Sequence, residues 1–84
     1  MSGCLIACRS LTYAQRSARA LENAGFTATV LRMPAALSDS GCGHAVKIPE
    51  RMLAESVALL RDHGLLPKKA YVLTEDGLYA ELPL

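Results

Sequence analysis

The order of short apolar runs and amphipathic segments limits most strongly what this chain can fold into. The run at residues 4–8 is too short for a helix and is typical of a strand. Ala14, Ala18 and Leu21 then recur at the spacing of one helical face. The predicted segments are, in order, residues 4–8 (strand), 11–24 (helix), 26–33 (strand), 44–48 (strand), 49–64 (helix), 69–74 (strand) and 78–82 (strand). Each predicted helix therefore lies between strands, with two consecutive strands between the helices and two at the end of the chain.

Turn and capping residues mark the ends of these segments. Thr12 with Gln15 three residues later fits a capping box at the start of the first helix, although Ser10 fits the cap position as well. Gly25 suits the left-handed position after that helix. Pro49 is expected as the first residue of the second helix, because proline suits that position.

This order is the split βαβ pattern, with a further strand at the end. Right-handed crossovers favour an antiparallel sheet ordered 4-1-3-2 with both helices on one face. The sequence therefore predicts an α+β, ferredoxin-like βαββαβ sandwich, with a short C-terminal strand, in one domain over residues 1–84. Four apolar side chains fall on the other face, where they form either a homodimer contact, a docking surface or ordinary surface: Leu31, Met33, Tyr71 and Leu73.

Composition disfavours several classes of partner. The formal net charge is +1, so no overall field attracts nucleic acid or an anionic membrane. The chain has one Phe, three Tyr and no Trp, and none lies on the two predicted central strands, where base-stacking domains place aromatics. No apolar run approaches the roughly 20 residues of a membrane span or has the pattern of a signal peptide. We therefore expect a cytoplasmic protein that binds neither nucleic acid nor membrane.

The segment between the second and third strands is rich in turn formers and ends in a cysteine between two glycines, Cys42 between Gly41 and Gly43. In the predicted topology, the start of the third strand lies beside the end of the first. This places Cys42 near Cys8, Arg9 and Ser10, where the first helix begins. The positive pole of a helix N-terminus lowers the pKa of a nearby thiol, and Arg9 acts in the same direction.

An ionised thiol in this loop is suited to attacking sulfane sulfur or selenium. The flanking glycines remove steric bulk, and backbone amides near Gly41 and Gly43 are positioned to bind a terminal persulfide anion. Ser40 is a candidate hydrogen-bond donor to the charged sulfur. The alternative is a solvent-facing loop cysteine in a loop whose glycines serve only to turn the chain.

The three cysteines contain no CxxC pair, which favours free thiols in a reducing compartment over a disulfide framework. Cys4 and Cys8 are four residues apart on one strand, so they share a face but stand about 13 Å apart and cannot bridge each other. Cys4 is expected in the core. Cys8 is either buried too, or forms a disulfide with Cys42 that resolves a persulfide. A further alternative is a soft-metal site built from Cys8, Cys42 and His44.

These residues resemble a family of short bacterial proteins described as selenium/sulfur carrier-like. The resemblance runs from about Cys4 to Tyr71. Its sharpest match is the serine-rich approach to a Cys-Gly pair, residues 38–43, after a helix that ends in residues 21–25. The hairpin around Asp76 and Gly77 extends beyond the usual ending of the family.

The resemblance implies that Cys42 carries a persulfide or perselenide. The expected partners are a cysteine desulfurase-like or selenium donor and an acceptor enzyme, and the expected role is non-enzymatic with no bound cofactor. Sulfur and selenium both remain open. A binding or regulatory module that acts through the open sheet face, and a soft-metal carrier, are the alternatives.

Overall fold

The backbone follows the predicted order of strands and helices. In this computed structural model, the described residues are 3–33, 43–65, 67, 69–74 and 77–82. The elements are β1 (Gly3–Cys8), α1 (Leu11–Asn23), β2 (Thr29–Arg32), β3 (His44–Pro49), one turn of 3-10 helix (Glu50–Met52), α2 (Leu53–Asp62), β4 (Lys69–Leu73) and β5 (Tyr79–Leu82).

The strands form one five-stranded sheet in the order β2-β3-β1-β4-β5. Every neighbouring pair is antiparallel. Read from the other edge, four of the strands follow the predicted order 4-1-3-2, and β5 adds a fifth beside β4. The architecture is α+β and consistent with the ferredoxin-like fold predicted from the sequence.

Alternate residues of the central strands pack beneath both helices. The cluster contains Cys4, Ile6 and Cys8 from β1 and Val46 and Ile48 from β3. From the helices it contains Ala14, Ala18, Leu21 and Leu60. Because the period of a strand is two residues, these side chains all point to one face of the sheet. Both helices therefore cover that face, as predicted.

The opposite face carries a second apolar cluster. Its buried members are Leu5, Ala7, Met33, Ala45 and Tyr71, and Leu31 and Tyr79 pack against them. Leu31, Met33 and Tyr71 were expected on this face. The centre of the cluster is already buried within the single chain, whereas Leu73, at the end of β4, keeps 41% of its surface exposed. The open area of this face is therefore smaller than the sequence suggested.

The second strand begins later than predicted, at Thr29 rather than Phe26. Gly25 has a φ of +91°, and the amide of Phe26 donates to the carbonyl of Leu21 at 2.9 Å. This is the hydrogen bond that closes a helix C-terminus through a left-handed residue. The backbone of Phe26 therefore completes the end of α1 rather than starting a ladder.

Pro49 is not the first residue of α2, as the sequence suggested. It ends β3, where it is paired with Gly3, and has φ −63° and ψ 140°. The extended ψ keeps it in the strand, and one turn of 3-10 helix separates it from Leu53. The predicted start of the second helix was therefore wrong by about one turn.

The two helices each bury a serine hydroxyl. Ser17 of α1 and Ser56 of α2 are almost fully buried, and neither Oγ has a hydrogen-bond partner among the residues that the structure describes. Small side chains allow close packing of helices, but a buried hydroxyl without a partner costs free energy. These two positions are therefore local weaknesses in the core.

Candidate functional site

The ends of β1 and β3 lie side by side at one edge of the sheet. Cys8, the last residue of β1, is paired with His44, the first residue of β3. His44 is also paired with Arg32, the last residue of β2. This confirms the predicted adjacency of the start of the third strand and the end of the first. Arg32, His44 and Cys8 form one row across three strands.

Gly43 continues this edge by one residue. Its carbonyl accepts a hydrogen bond from the amide of Met33 at 2.8 Å, which closes the pairing of β2 with β3 beyond Arg32 and His44. Apart from Gly43 itself and its neighbours in the chain, no described atom lies within 4 Å of the position that a Cβ at Gly43 would take. Its lack of a side chain therefore leaves open space on the described side of this edge.

The other predicted loop residues, Ser40, Gly41 and Cys42, lie outside the described residues. Cys42 is bonded directly to Gly43, so the described chain reaches the residue next to the predicted thiol. The interactions expected for these three residues stay predictions.

Ser10 caps the helix that begins at the same edge. Its backbone is extended, with φ −161° and ψ 168°, and its Oγ accepts a hydrogen bond from the amide of Tyr13 at 3.2 Å. The sequence offered Thr12 or Ser10 as the cap, and Thr12 instead lies within the first turn. That turn contains no acidic residue, so no carboxylate offsets the positive pole of the helix there.

Arg9 connects the end of β1 to this first turn. Its guanidinium carbon lies 5.1 Å from the centroid of the Tyr13 ring, within the range of a cation–π contact. The side chain is exposed. A positive charge is therefore held beside the start of α1, as the sequence suggested, with an aromatic contact that the spacing of Arg9 and Tyr13 did not by itself reveal.

The two described cysteines are both core residues. Cys4 is fully buried, and Cys8 is 4% exposed. Burial raises the pKa of the Cys4 thiol, and the negative charge of Glu50 raises it further. The Cys8 thiol donates a weak hydrogen bond to the carbonyl of Ile6, with Sγ and O 3.7 Å apart. The predicted burial of Cys4 is confirmed, and Cys8 is buried as well.

The described residues give no support for a metal centre. Within them, no group of three or more His, Cys, Asp or Glu side chains is arranged to hold a metal ion. His44 is the cross-strand partner of Cys8, but the third predicted ligand, Cys42, lies outside this part of the chain. The soft-metal alternative therefore remains a prediction.

The structure has an open groove on the outer side of α1, which was not predicted from the sequence. It has a volume of about 430 Å³, and its lining includes Thr12, Gln15, Arg16 and Arg19. These positions follow the i, i+3, i+4, i+7 spacing of one helix face, which was readable from the sequence. Two of these lining residues, Arg16 and Arg19, carry positive charge.

A family model described as "putative Se/S carrier protein-like" matches residues 3–72. The chain belongs to this family. The match agrees closely with the resemblance found between about Cys4 and Tyr71. It includes the loop with Cys42 and leaves out β5, so the fifth strand lies beyond the part of the chain that the family model matches.

No curated protein and no solved structure matches the chain. Within the described residues, neither helix is long and apolar enough to cross a membrane. The assignment to the Se/S carrier protein-like family therefore rests on the family model alone.

Proposed function

We propose that this protein carries sulfur or selenium, with Cys42 as the thiol that bears the transferable atom. The observation that carries the proposal is the burial of both other cysteines, within a chain that belongs to the Se/S carrier protein-like family. A carrier thiol must be reached by a donor and by an acceptor. Cys4 and Cys8 are closed to both, which leaves Cys42 as the candidate.

The geometry next to Cys42 supports this role. Gly43 follows it directly, and the pairing of His44 with Cys8 brings the start of β3 to the edge where α1 begins. At that edge are a capped helix N-terminus without an acidic first turn and the exposed side chain of Arg9. Both features favour a thiolate over a thiol.

The transfer is a thiol exchange at the terminal atom. The Cys42 thiolate attacks the terminal sulfur of a donor enzyme's persulfide and forms the new S–S bond. The donor's own S–S bond breaks, and its cysteine leaves as a thiolate. Selenium follows the same course from a donor perselenide. No net oxidation occurs, and delivery to an acceptor enzyme repeats the exchange, so the chain acts as a carrier rather than an enzyme.

The reaction requires reduced thiols, which is consistent with a cytoplasmic setting. We propose that Cys8 serves as a core residue, because its thiol is buried and donates a weak hydrogen bond to the carbonyl of Ile6.

A homodimer is a second part of the proposal. Two exposed leucines, Leu73 at 41% and Leu78 at 64%, lie at the hairpin between β4 and β5. They are held close in the chain because the amide of Thr74 donates to the carbonyl of Leu78 at 2.7 Å. We call these two leucines the rim of the second sheet face, whose centre is already buried. Because exposed apolar side chains favour association, the rim is the proposed contact between two copies of the chain.

The carrier role is tested by loading the protein. Wild type and three variants, Cys4→Ala, Cys8→Ala and Cys42→Ala, are incubated with a cysteine desulfurase and cysteine, or with a selenocysteine lyase and selenocysteine. Intact mass is then measured under non-reducing conditions. Wild type, Cys4→Ala and Cys8→Ala should each gain one sulfur or selenium atom, and Cys42→Ala none. Equal uptake by Cys42→Ala and wild type refutes the proposal.

A further inference from the structure

Positive charge is concentrated in the first part of the chain and on the outer face of α1. Residues 3–33 contain four arginines and one glutamate, although the whole chain has a formal net charge of +1. Two of the arginines, Arg16 and Arg19, line the open groove with Thr12 and Gln15. The other two, Arg9 and Arg32, lie at the end of β1 and the end of β2, where α1 begins.

The two groove arginines are available to a partner. Both are exposed, and neither forms an ion pair within the part of the chain that the structure describes. The acidic residue of α1, Glu22, lies on the turn after Arg19 and makes no ion pair with it. Thr12 and Gln15 add side-chain hydrogen-bonding groups on the N-terminal side of Arg16. The four lining side chains therefore form a row of donors about 10 Å long by the helical rise.

The donor row begins at the edge that the proposed function uses. Thr12 belongs to the first turn of α1, which only Arg9 and Ser10 separate from Cys8, and Cys8 is paired with His44. A protein that contacts Arg16 and Arg19 along α1 therefore also reaches the edge where Gly43 and the chain toward Cys42 begin. Guanidinium groups bind carboxylates through two parallel hydrogen bonds, which gives such a contact a defined orientation.

We infer that the α1 groove docks an acidic surface of the donor enzyme and places it beside the edge from which the chain leads through Gly43 to Cys42. This inference rests on the proposed carrier function and adds the side of the molecule that the donor contacts. The essential pair is Arg16 and Arg19, and their partners on the donor are Asp and Glu side chains.

The composition of the groove favours a protein over a nucleic acid. Its described lining has no aromatic side chain on which a base can stack. The ring of Tyr13, in the same helical turn as Thr12, is already in contact with the guanidinium of Arg9. Two cations on a single helix face suit a few carboxylates, whereas a sugar-phosphate backbone is bound by longer positive tracks.

The test compares charge reversals on the two helices. The variants are Arg16→Glu, the double variant Arg16→Glu/Arg19→Glu, and Arg61→Glu as the matched control, because Arg61 is an exposed arginine of α2 outside the groove. The initial rate of sulfur loading by a cysteine desulfurase is measured against carrier concentration at low and moderate NaCl. Loading of each variant by glutathione persulfide, which needs no docking surface, reports the intact thiol and fold.

The double variant should raise the KM for the carrier about tenfold with kcat within about twofold, because surface charge pairs act mainly on encounter and docking. Arg16→Glu should give an intermediate KM, and Arg61→Glu should match wild type. Salt should raise the KM of wild type more than that of the double variant. Glutathione persulfide should load all of them at the same rate.

Unchanged KM in the double variant, or an equal rise in Arg61→Glu, overturns the inference. Binding of a fluorescent single-stranded RNA that Arg16→Glu/Arg19→Glu abolishes, with unchanged desulfurase kinetics, also overturns it and assigns the groove to nucleic acid. Failure of the carrier proposal is seen separately, because Cys42→Ala would then load like wild type. Surface plasmon resonance of Cys42→Ala on immobilised desulfurase measures docking without any transfer, and the two charge reversals should weaken it about tenfold.

Discussion

Cys8 and His44 are direct cross-strand partners, so the last residue of β1 and the first residue of β3 occupy the same edge of the sheet. The pairing brings together two places where the chain leaves the sheet. One leads through Arg9 and Ser10 into α1, and the other leads back through Gly43 to Cys42. The pairing therefore places the start of α1 and Gly43, the residue that follows the candidate carrier thiol, at the same edge of the sheet.

The buried thiol of Cys4 predicts a loss of stability at alkaline pH. Its pKa is raised above the ordinary value of 9.0 by burial and by Glu50. The unfolded chain therefore loses this proton at lower pH than the folded chain, and the stabilisation is complete below about pH 9 and lost as the pH rises through the folded pKa. Urea unfolding of wild type between pH 8 and about pH 11 should show this decline.

Cys4→Ala is the matched variant for that experiment. It should be less stable than wild type at pH 8, because the thiol fills part of the core, but its stability should fall less steeply above pH 9. Identical slopes in the two proteins would contradict the assignment of the alkaline decline to Cys4.

The different surroundings of Ser10, the N-cap of α1, and Ser17, within α1, predict different effects for their substitution by alanine. Ser10→Ala removes the acceptor for the amide of Tyr13 and should cost about 1 kcal/mol of unfolding free energy. Ser17→Ala removes a buried hydroxyl without a partner and should be neutral or stabilising by up to about 1 kcal/mol. Urea unfolding at pH 7 measures both. A larger loss in Ser17→Ala than in Ser10→Ala would contradict this prediction.

The exposed rim of the second sheet face predicts the effect of Leu73 on association. Sedimentation equilibrium of wild type should show a reversible dimer, and Leu73→Lys should shift it to monomer, because a charge replaces an apolar contact. Leu11→Lys is the control, since Leu11 on α1 is exposed to a similar extent, 43%. A monomeric wild type, or equal dissociation in both variants, would rule out the rim as a homodimer contact.

Much of the fold was readable from sequence because its signals are local and periodic. The short apolar run at residues 4–8 indicated a strand, and the helical spacing of Ala14, Ala18 and Leu21 indicated the face of the first helix that packs in the core. Chirality rules then gave the order of four strands, and with it the adjacency of Cys8 and His44. Burial of Cys4 followed from its place on the helix-covered face.

The errors arose where two local patterns compete. Ser10 and Thr12 both suit an N-cap, and the choice depends on where the chain leaves β1, which the pattern does not specify. Phe26 has strand propensity, but its amide completes the end of α1, so β2 starts later. The burial of Leu5 and Ala45 on the face without helices depends on three-dimensional packing, which period-two alternation does not report.

The candidate site was predictable in outline for a different reason. The composition of residues 38–43 drew attention to Cys42, and the topology supplied its neighbours at the end of β1. The helical spacing of Arg16 and Arg19 can be read from the sequence. Their place in a groove with Thr12 and Gln15 depends on the three-dimensional structure and could not be predicted.

The role of Cys42 as the carrier thiol is tested by locating the carried atom in the wild-type protein. After loading with a cysteine desulfurase, the protein is alkylated without reduction and digested with trypsin. Cleavage after Arg9, Arg32 and Lys47 separates a peptide with Cys42 as its single cysteine from the peptide that holds Cys4 and Cys8. The alkylated persulfide should be found on residues 33–47 alone. A persulfide on residues 1–9 would show that Cys4 or Cys8 carries the atom, which is incompatible with Cys42 as the carrier thiol.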